Sequence, residues 1–501
     1  MYGDMIAFWA KQNPDAVALV DDVDISYRTF DLAINKVATR LAKLNLSRPA
    51  LVAVQMRGLA GFYLIERALD RMGLTSLVLP LTPPGEFLDL LKPDLFLTIS
   101  EDFARATPNT VVLTDAWFDE ALKGPPVAPP GHRPHPDDLV RLLVSSGTTG
   151  RPKVIPISRR SFDLRNYSGV MMASFASLMR LMPVMGPSSL GGFTGPLRVW
   201  SVGGTVTICS SSELYRDVIR LCPDHITISP GQLEDLLEDI PPDFPVMNGL
   251  QITLAGSQVS RALVERTKRR LTEDVWIAYG STEIGAASLG PASILDRHER
   301  AVGYVWPKLD IEVVGPDGAA LAPRQVGVVR MRGEEGVFSG YLEEDEAASS
   351  PWRDGWFYPG DLGALTEDGL LIIEGRVAEI MNLGGVKIDP GAIDEVAKTC
   401  PGVADAAAFA VTDEAGVDWP WIAVVRSENY DTSRLIALLQ AQWPALRALR
   451  VAAIDAIPRN GMAKVERHAL KRMVVEARKA RPTPPDVAAE AGLPLTEPVL
   501  N

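Results

Sequence analysis

Only three cysteines occur in the 501 residues. Cys209, Cys222 and Cys400 lie far apart and in no C-x-x-C spacing, so neither a zinc knuckle nor a disulfide framework is indicated, and a reducing cytoplasm fits. Basic residues are outnumbered, 50 Lys and Arg against 63 Asp and Glu, for a formal charge of −13. That balance argues against a general nucleic-acid surface, which needs clustered Lys and Arg, and leaves small molecules or proteins as partners. No run reaches the roughly 18 uncharged apolar residues that a membrane span requires. The opening MYGDMIAFWAKQNPDA carries Asp4 early and no basic-then-apolar leader. The chain therefore reads as cytoplasmic, with no stable membrane span. Internal repeats are absent as well. What remains, 47% hydrophobic and 23% charged, is an ordinary globular balance, and the length accommodates about two to four domains.

From residue 26 to 142, helix-like stretches (27–44, 60–72) alternate with short apolar runs (50–54, 77–79), the rhythm of an α/β domain. A proline-rich segment, 125–136, precedes a strand-like run at 139–144, and alternation resumes with strands near 205–209, 225–229 and 251–255 and helices near 231–237 and 261–270. Between 302 and 331 the period shifts to two, and Pro316-Asp317-Gly318 signals a hairpin in a β-rich subdomain. After Gly375 and Arg376 a compact α+β piece follows, with a helix at 392–398, strands at 406–411 and 421–425 and a basic helix near 468–479. The expected fold class is thus α/β: a large N-terminal domain of α/β subdomains plus a β-rich subdomain, with a small mobile α+β C-terminal domain. The boundaries expected are 1–376, 377–480 and a flexible tail at 481–501, where Pro and Ala dominate without periodicity.

Residues 145–153, SSGTTGRPK, concentrate phosphate-holding chemistry in one loop. Ser146, Thr148 and Thr149 bring hydroxyls, Gly147 and Gly150 bring accessible backbone N–H groups, and Lys153 adds a mobile positive charge. The spacing differs from the common G-x-x-x-x-G-K-[ST] loop, and a plain Gly/Ser/Thr turn between strands has the same composition. In YGSTEIG, residues 279–285, Tyr279 could stack on a base, Thr282 hydrogen-bond a phosphate oxygen, and Glu283 hold Mg²⁺, a hard cation that takes oxygen ligands. The competing reading is a strand-turn-helix junction capped by Ser281 or Thr282. GWFYPGDLG, 355–363, places Asp361 after a Pro-Gly turn, where a carboxylate could accept both ribose hydroxyls. Arg376 stands beside the expected boundary, Gly384 and Gly385 precede Lys387, and Lys464 precedes the last basic helix.

In this order the segments resemble the adenylate-forming superfamily of acyl-CoA synthetases, non-ribosomal peptide synthetase adenylation domains and beetle luciferases, over roughly residues 1–475. SSGTTGRPK matches the family's phosphate loop, YGSTE its aromatic-Gly-x-Thr-Glu motif, GDL its ribose-binding aspartate, GR with the later GG its hinge region, and NGMAK its catalytic-lysine loop. The resemblance implies that Ser146, Gly147, Thr148, Thr149, Gly150 and Lys153 enclose the β- and γ-phosphates of ATP. Tyr279 then stacks on adenine, with the backbone around Gly256 on the other side. Thr282 reaches the α-phosphate, Glu283 binds Mg²⁺, Asp361 and Arg376 hold the ribose, and Lys464 bridges the substrate carboxylate and the α-phosphate. A carboxylate attacks the α-phosphorus, pyrophosphate leaves, and the acyl-adenylate passes to a thiol, coenzyme A or the phosphopantetheine of a carrier protein, along a path lined by Gly384 and Gly385.

Three departures from the family pattern qualify these expectations. Ala378, followed by Glu379, stands where the family has Asp or Lys at the hinge, and Ala463 replaces a glycine beside Lys464. Arg159 stands where a His is common, and the stretch 181–197 is built from small residues, Gly186, Ser188, Ser189, Gly191 and Gly192 among them. Small residues would leave room for a bulky, aryl or fatty acid, or else make a sharp turn. No F-D-x-S stretch of amino-acid-activating relatives is visible. The leading expectation is an acid:CoA ligase. A close variant is an acyl-AMP ligase serving a carrier protein in trans or closing a β-lactone; a second class is a catalytically reduced nucleotide-binding homologue, and a third, a kinase or ATPase, is disfavoured by the loop spacing.

Overall fold

The computed structural model describes residues 4–56, 58–79, 88, 91–126, 134–145, 153–172, 179–209, 213–334, 340–342, 351–383, 386–412, 418–460 and 463–480. The chain packs as two compact units. Residues 1–297, 302–311 and 331–357 make the first, and 298–301, 312–330 and 358–501 the second.

The first unit contains a six-stranded sheet in the order Thr110–Val112, Leu95–Thr98, Leu51–Gln55, Thr75–Val78, Leu139–Ser145, Lys153–Ser158. All neighbours are parallel except the last pair. Parallel neighbours need crossovers, which helices such as Leu59–Met72 supply. Such strands are covered on both faces, and accordingly Val52, Ala53 and Val54 are all buried. A second sheet runs from Asp24–Ser26 through Val17–Val20, Thr205–Thr207, Arg180–Pro183, His225–Ile228 and Gln251–Leu254 to Asp274–Ser281 and Gly285–Pro291. It is parallel from Val17–Val20 to Asp274–Ser281 and antiparallel beyond.

Buried aromatics with satisfied polar ends hold this unit together. Trp200 packs against Phe30 and Tyr63, each at a centroid distance of 5.3 Å, and its indole donates to the Ala18 carbonyl at 2.7 Å. The strand Leu139–Ser145 is anchored from inside: Arg141, fully buried, pairs with Glu66 at 3.0 Å and donates to the Pro187 carbonyl at 2.7 Å. A guanidinium so placed needs its carboxylate, because an unpaired buried charge costs several kcal/mol, about 3–5.

In the second unit Asp361–Leu365 and Leu370–Arg376 form an antiparallel pair, and Val403–Thr412, Asp418–Arg426 and Arg450–Ala453 a three-stranded sheet. The helices Pro390–Lys398 and Thr432–Gln442 close a core of Ile393, Ala406, Ile422, Leu435 and Leu439. The hairpin expected at 316–318 is present, with Gly318 donating to the Gly315 carbonyl at 3.0 Å and Val314 bridging Ala320. Among the described residues no helix is long and apolar enough to cross a membrane.

Candidate active site

In the first unit, antiparallel register places Ser145 opposite Lys153, so the phosphate-loop motif connects the two strands at the sheet edge. Ser146, Gly147, Thr148, Thr149 and Gly150 lie outside the described residues. Lys153 is described: its Nζ sits 4.7 Å from the centroid of the Tyr341 ring. The hydroxyl of the same tyrosine donates to Oε1 of buried Glu283 at 2.8 Å. Tyr341 is held in turn by its neighbour, since Leu342 N–H donates to the Val154 carbonyl at 2.8 Å. One aromatic ring therefore spaces the cation of one motif from the carboxylate of another.

The YGSTE segment ends one strand and turns directly into the next, Asp274–Ser281 into Gly285–Pro291, rather than opening a helix. Gly280 permits this close return: a Cβ there would lie 2.0 Å from the Gly285 carbonyl oxygen. The register skips Ala287 between Tyr279 and Gly280, a bulge of the kind that re-aims a strand end. Thr282 and Glu283 occupy the turn itself, and Arg165, from the helix Arg159–Met172, clamps it. The Arg165 guanidinium donates to the Thr282 carbonyl at 2.8 Å and to the Glu283 carbonyl. Burial, with the like charge of Arg198 adding to it and Glu283 opposing, pulls the pKa of Arg165 down to about 9. Tyr279 is half-buried, and Gly256 lies exposed after the strand Gln251–Leu254 with φ +97°.

Two sequence departures receive a structural role here. Arg159 pairs with Asp70 in a largely buried ion pair. The small residues around 186–192 form the tight entry of the helix Leu190–Ser201: Ser189 accepts from the Gly192 N–H at 3.0 Å and donates to the Gly186 carbonyl at 2.8 Å. A Cβ on Gly192 would meet the carbonyl oxygens of Met185 and Gly186 at 2.2 Å, so this glycine is required by backbone approach and opens no space for a ligand.

The second unit holds Asp361, Arg376 and Lys464 together. The first two face each other across paired strands, and register builds their ion pair: Arg376 Nε lies 2.9 Å from Oδ1 of buried Asp361. Lys464 is tied to Asn460: its N–H donates to Asn460 Oδ1 at 3.1 Å and its carbonyl accepts from the Asn460 N–H at 2.9 Å. Burial draws the Lys464 pKa below the usual lysine range; Arg376 adds to the effect, while Glu379 and Asp361 oppose it. Three residues on, Arg467 pairs with Glu379 at 3.5 Å and with buried Asp394. Ala463 adopts φ +58°, a left-handed conformation that glycine takes without cost. Ala378 sits in a turn closed by the Glu379 and Ile380 N–H groups on the Arg376 carbonyl. Gly384 and Gly385 lie outside the described residues.

Sequence reasoning missed Tyr341, Arg165 and Arg467. Tyr341 stands just ahead of a run of acids with no motif signal, and Arg165 looks like any helical arginine. Only their distant partners give them meaning.

Two sheets thus bring Lys153 and a Thr-Glu turn together in the first unit, and the second unit holds an Asp-Arg pair and a buried lysine. The chain belongs to the AMP-binding enzyme family, whose model matches residues 6–342. It is 24% identical over 506 aligned residues to the 4-chlorobenzoate–CoA ligase of an Arthrobacter species, covering 96% of this chain and 97% of that one. It is 28% identical to a fatty acid–[acyl-carrier-protein] ligase of Streptomyces coeruleorubidus, over 76% of each. Its fold matches the o-succinylbenzoate CoA synthetase of Bacillus subtilis in complex with its acyl-adenylate intermediate, with a TM-score of 0.82 at 20% identity over 93% of this chain and 98% of that one.

Proposed function

We propose that the protein is an AMP-forming acid:CoA ligase. A substrate carboxylate oxygen attacks the α-phosphorus of ATP, the bond to the β-phosphate breaks, and pyrophosphate leaves with an acyl-adenylate formed. The thiol of coenzyme A then loses its proton and attacks the acyl carbon, and AMP departs. The observation that carries the reading is the row Lys153, Tyr341, Glu283 beside a turn whose carbonyls Arg165 clamps. It presents a cation for the terminal phosphates and a carboxylate held at a fixed position.

In this reading residues 146–150 and Lys153 hold the β- and γ-phosphates, Tyr279 and the backbone at Gly256 flank adenine, and Thr282 bonds the α-phosphate. Asp361 accepts the ribose hydroxyls with Arg376 as its counter-charge, and Lys464 bridges the acid and the α-phosphate. Among the described residues no group of three His, Cys, Asp or Glu could hold a metal ion. Mg²⁺ binds through one or two carboxylates plus substrate phosphates and keeps several waters. Glu283 is the carboxylate that would hold it, and the ion when bound neutralises charge on the leaving pyrophosphate. The domain reading, 1–376 with a mobile 377–480 pivoting after Arg376, belongs to the same proposal.

The curated relatives that are CoA ligases support coenzyme A as acceptor, and the carrier-protein ligase among them supports the variant that serves a carrier. The test is acid-dependent formation of AMP and pyrophosphate from ATP and Mg²⁺ over aryl, fatty and hydroxy acids, each with and without coenzyme A. Turnover requiring coenzyme A is expected. Adenylate formation indifferent to it would move the reading to the carrier-serving or lactone-closing variant, and silence on every acid to a non-catalytic nucleotide-binding protein.

A further inference from the structure

In the second unit the peptide group that joins Ala463 to Lys464 is held at both ends. Its N–H, that of Lys464, donates to Asn460 Oδ1 at 3.1 Å, and its carbonyl, that of Ala463, accepts from the Arg459 guanidinium at 2.7 Å. A second nitrogen of the same guanidinium reaches both carboxylate oxygens of Asp405, at 2.9 and 2.8 Å. Asp405 stands on the strand Val403–Thr412 beside a bulge where the register skips Ala404, and its Oδ1 also accepts from the Ala406 N–H at 2.9 Å. The sheet thus fixes the carboxylate, and Arg459 carries that fixed point to the backbone next to Lys464.

Two features set this arrangement apart from an ordinary ion pair. The side chains of Arg459 and Asp405 are 28% and 26% exposed, and a pair so open to water adds little stability by itself. Ala463, meanwhile, holds a left-handed φ of +58°, which a residue with a side chain keeps only where its surroundings impose it. The imposing contacts are the backbone bridge between Arg459 and Val465, the Ala463 N–H on the Asn460 carbonyl at 2.8 Å, and the Arg459 bond to the Ala463 carbonyl. Released from the guanidinium, the peptide group is free to turn out of the strained conformation and to swing the lysine side chain with it.

We propose that Arg459, held by Asp405, is a positioning residue for Lys464: it locks the Ala463–Lys464 peptide group so that the ammonium stands where the acid meets the α-phosphate of ATP. The inference rests on the ligase reading, in which Lys464 bridges the two reactants of the first step and takes no part in the attack of the thiol on the finished adenylate. A residue that only positions the lysine therefore matters to the first half-reaction and not to the second.

The test separates the two half-reactions: acid-dependent pyrophosphate release for adenylate formation, and thioester formation from chemically prepared acyl-adenylate and coenzyme A. Arg459→Met should slow the first about 10- to 100-fold, the scale on which a displacement of about 1 Å acts, and leave the second unchanged. Asp405→Asn, which keeps the shape and removes the charge, should show the same selectivity at smaller size. Arg459→Lys, with one ammonium for two acceptors, should recover part of the loss, and these two variants carry the prediction if Arg459→Met folds poorly. A second readout needs no turnover: the pH dependence of Lys464 acetylation by acetic anhydride, mapped by mass spectrometry. Burial and Arg376 hold the lysine below its usual range, with Glu379 and Asp361 opposing and Arg467 adding, so in Arg459→Met a released Lys464 should titrate at higher pH. Equal loss in both half-reactions, or wild-type adenylate formation in Arg459→Met, overturns the positioning role while leaving the ligase reading intact. A wild type that activates no acid, with the upward shift still present in Arg459→Met, would keep the positioning of the lysine and overturn the ligase reading. An unchanged Lys464 titration in Arg459→Met overturns the positioning role whether or not the wild type turns over.

Discussion

Replacing Tyr341 with Phe removes one oxygen and leaves the ring on which Lys153 rests, so it isolates the bond to Glu283. That bond is 2.8 Å long and ends on a buried carboxylate. A hydrogen bond to a charged group contributes about 1.5–3 kcal/mol, and the acceptor left behind has no water to replace it easily. Denaturant unfolding of the first unit should therefore lose about 1.5–3 kcal/mol. Tyr341→Leu should lose a further 0.5–2 kcal/mol or so, because the cation-π contact at 4.7 Å goes with the ring. If Glu283 holds Mg²⁺, freeing its carboxylate also raises the Mg²⁺ concentration needed for half-maximal pyrophosphate exchange. At 1.36 kcal/mol per decade, kcat/KM for MgATP should fall about 10- to 100-fold. Wild-type stability and a wild-type Mg²⁺ requirement in Tyr341→Phe would refute the reasoning, since the hydroxyl would then be a surface bond of no consequence.

Three further outcomes follow from the geometry. In the proposed reaction Lys464 is an ammonium that bridges two anions, and Glu379 favours that charged form. Glu379→Gln should lower the lysine pKa further and move the alkaline limb of adenylate formation to lower pH, and a shift upward or none at all would show that Glu379 does not face the ammonium. Ala463→Gly should stabilise the lysine loop by about 1 kcal/mol, since Ala463 holds a left-handed φ of +58°, and the gain is read as a higher melting midpoint of the second unit. His225, buried in the strand His225–Ile228 and bonded to Thr253 at 2.9 Å, has its pKa pushed down to about 4 by burial. The folded value lies below the unfolded 6.5, so the unfolded chain takes up the proton first and stability falls as pH drops through that window. Between pH 7 and pH 5 the loss is about 2 kcal/mol, which His225→Asn should remove in chemical denaturation.

Much of the site's chemistry was legible as short words. Hydroxyls, glycines and a lysine within nine residues, a Thr-Glu pair after an aromatic strand, and an Asp after a Pro-Gly turn are local statements about donors, charges and turns. The structure places Lys153 at a strand start, Thr282 and Glu283 in a tight turn and Asp361 at a strand start. Alternating helix and strand periods likewise announced an α/β domain. The role of the small residues at 186–192 was not legible: room for a bulky acid and a sharp turn were both open, and the approach of the Met185 and Gly186 carbonyls to Gly192 favours the turn at that glycine. Composition cannot distinguish a missing side chain that leaves space from one that another backbone has filled.

The sequence by itself determined the family, the nucleotide-binding words and the α/β class, because each depends on spacing within a few residues or on a period of two or 3.6. Only the tertiary structure decided that Tyr341, 58 residues from Glu283, meets it, and that Arg165 clamps a turn 117 residues away. It also decided that Arg198 stands where Gly169 leaves room. Such pairings exist only once sheets and helices have brought remote segments within the 3–5 Å over which hydrogen bonds, ring contacts and close packing act, and no local pattern encodes that distance.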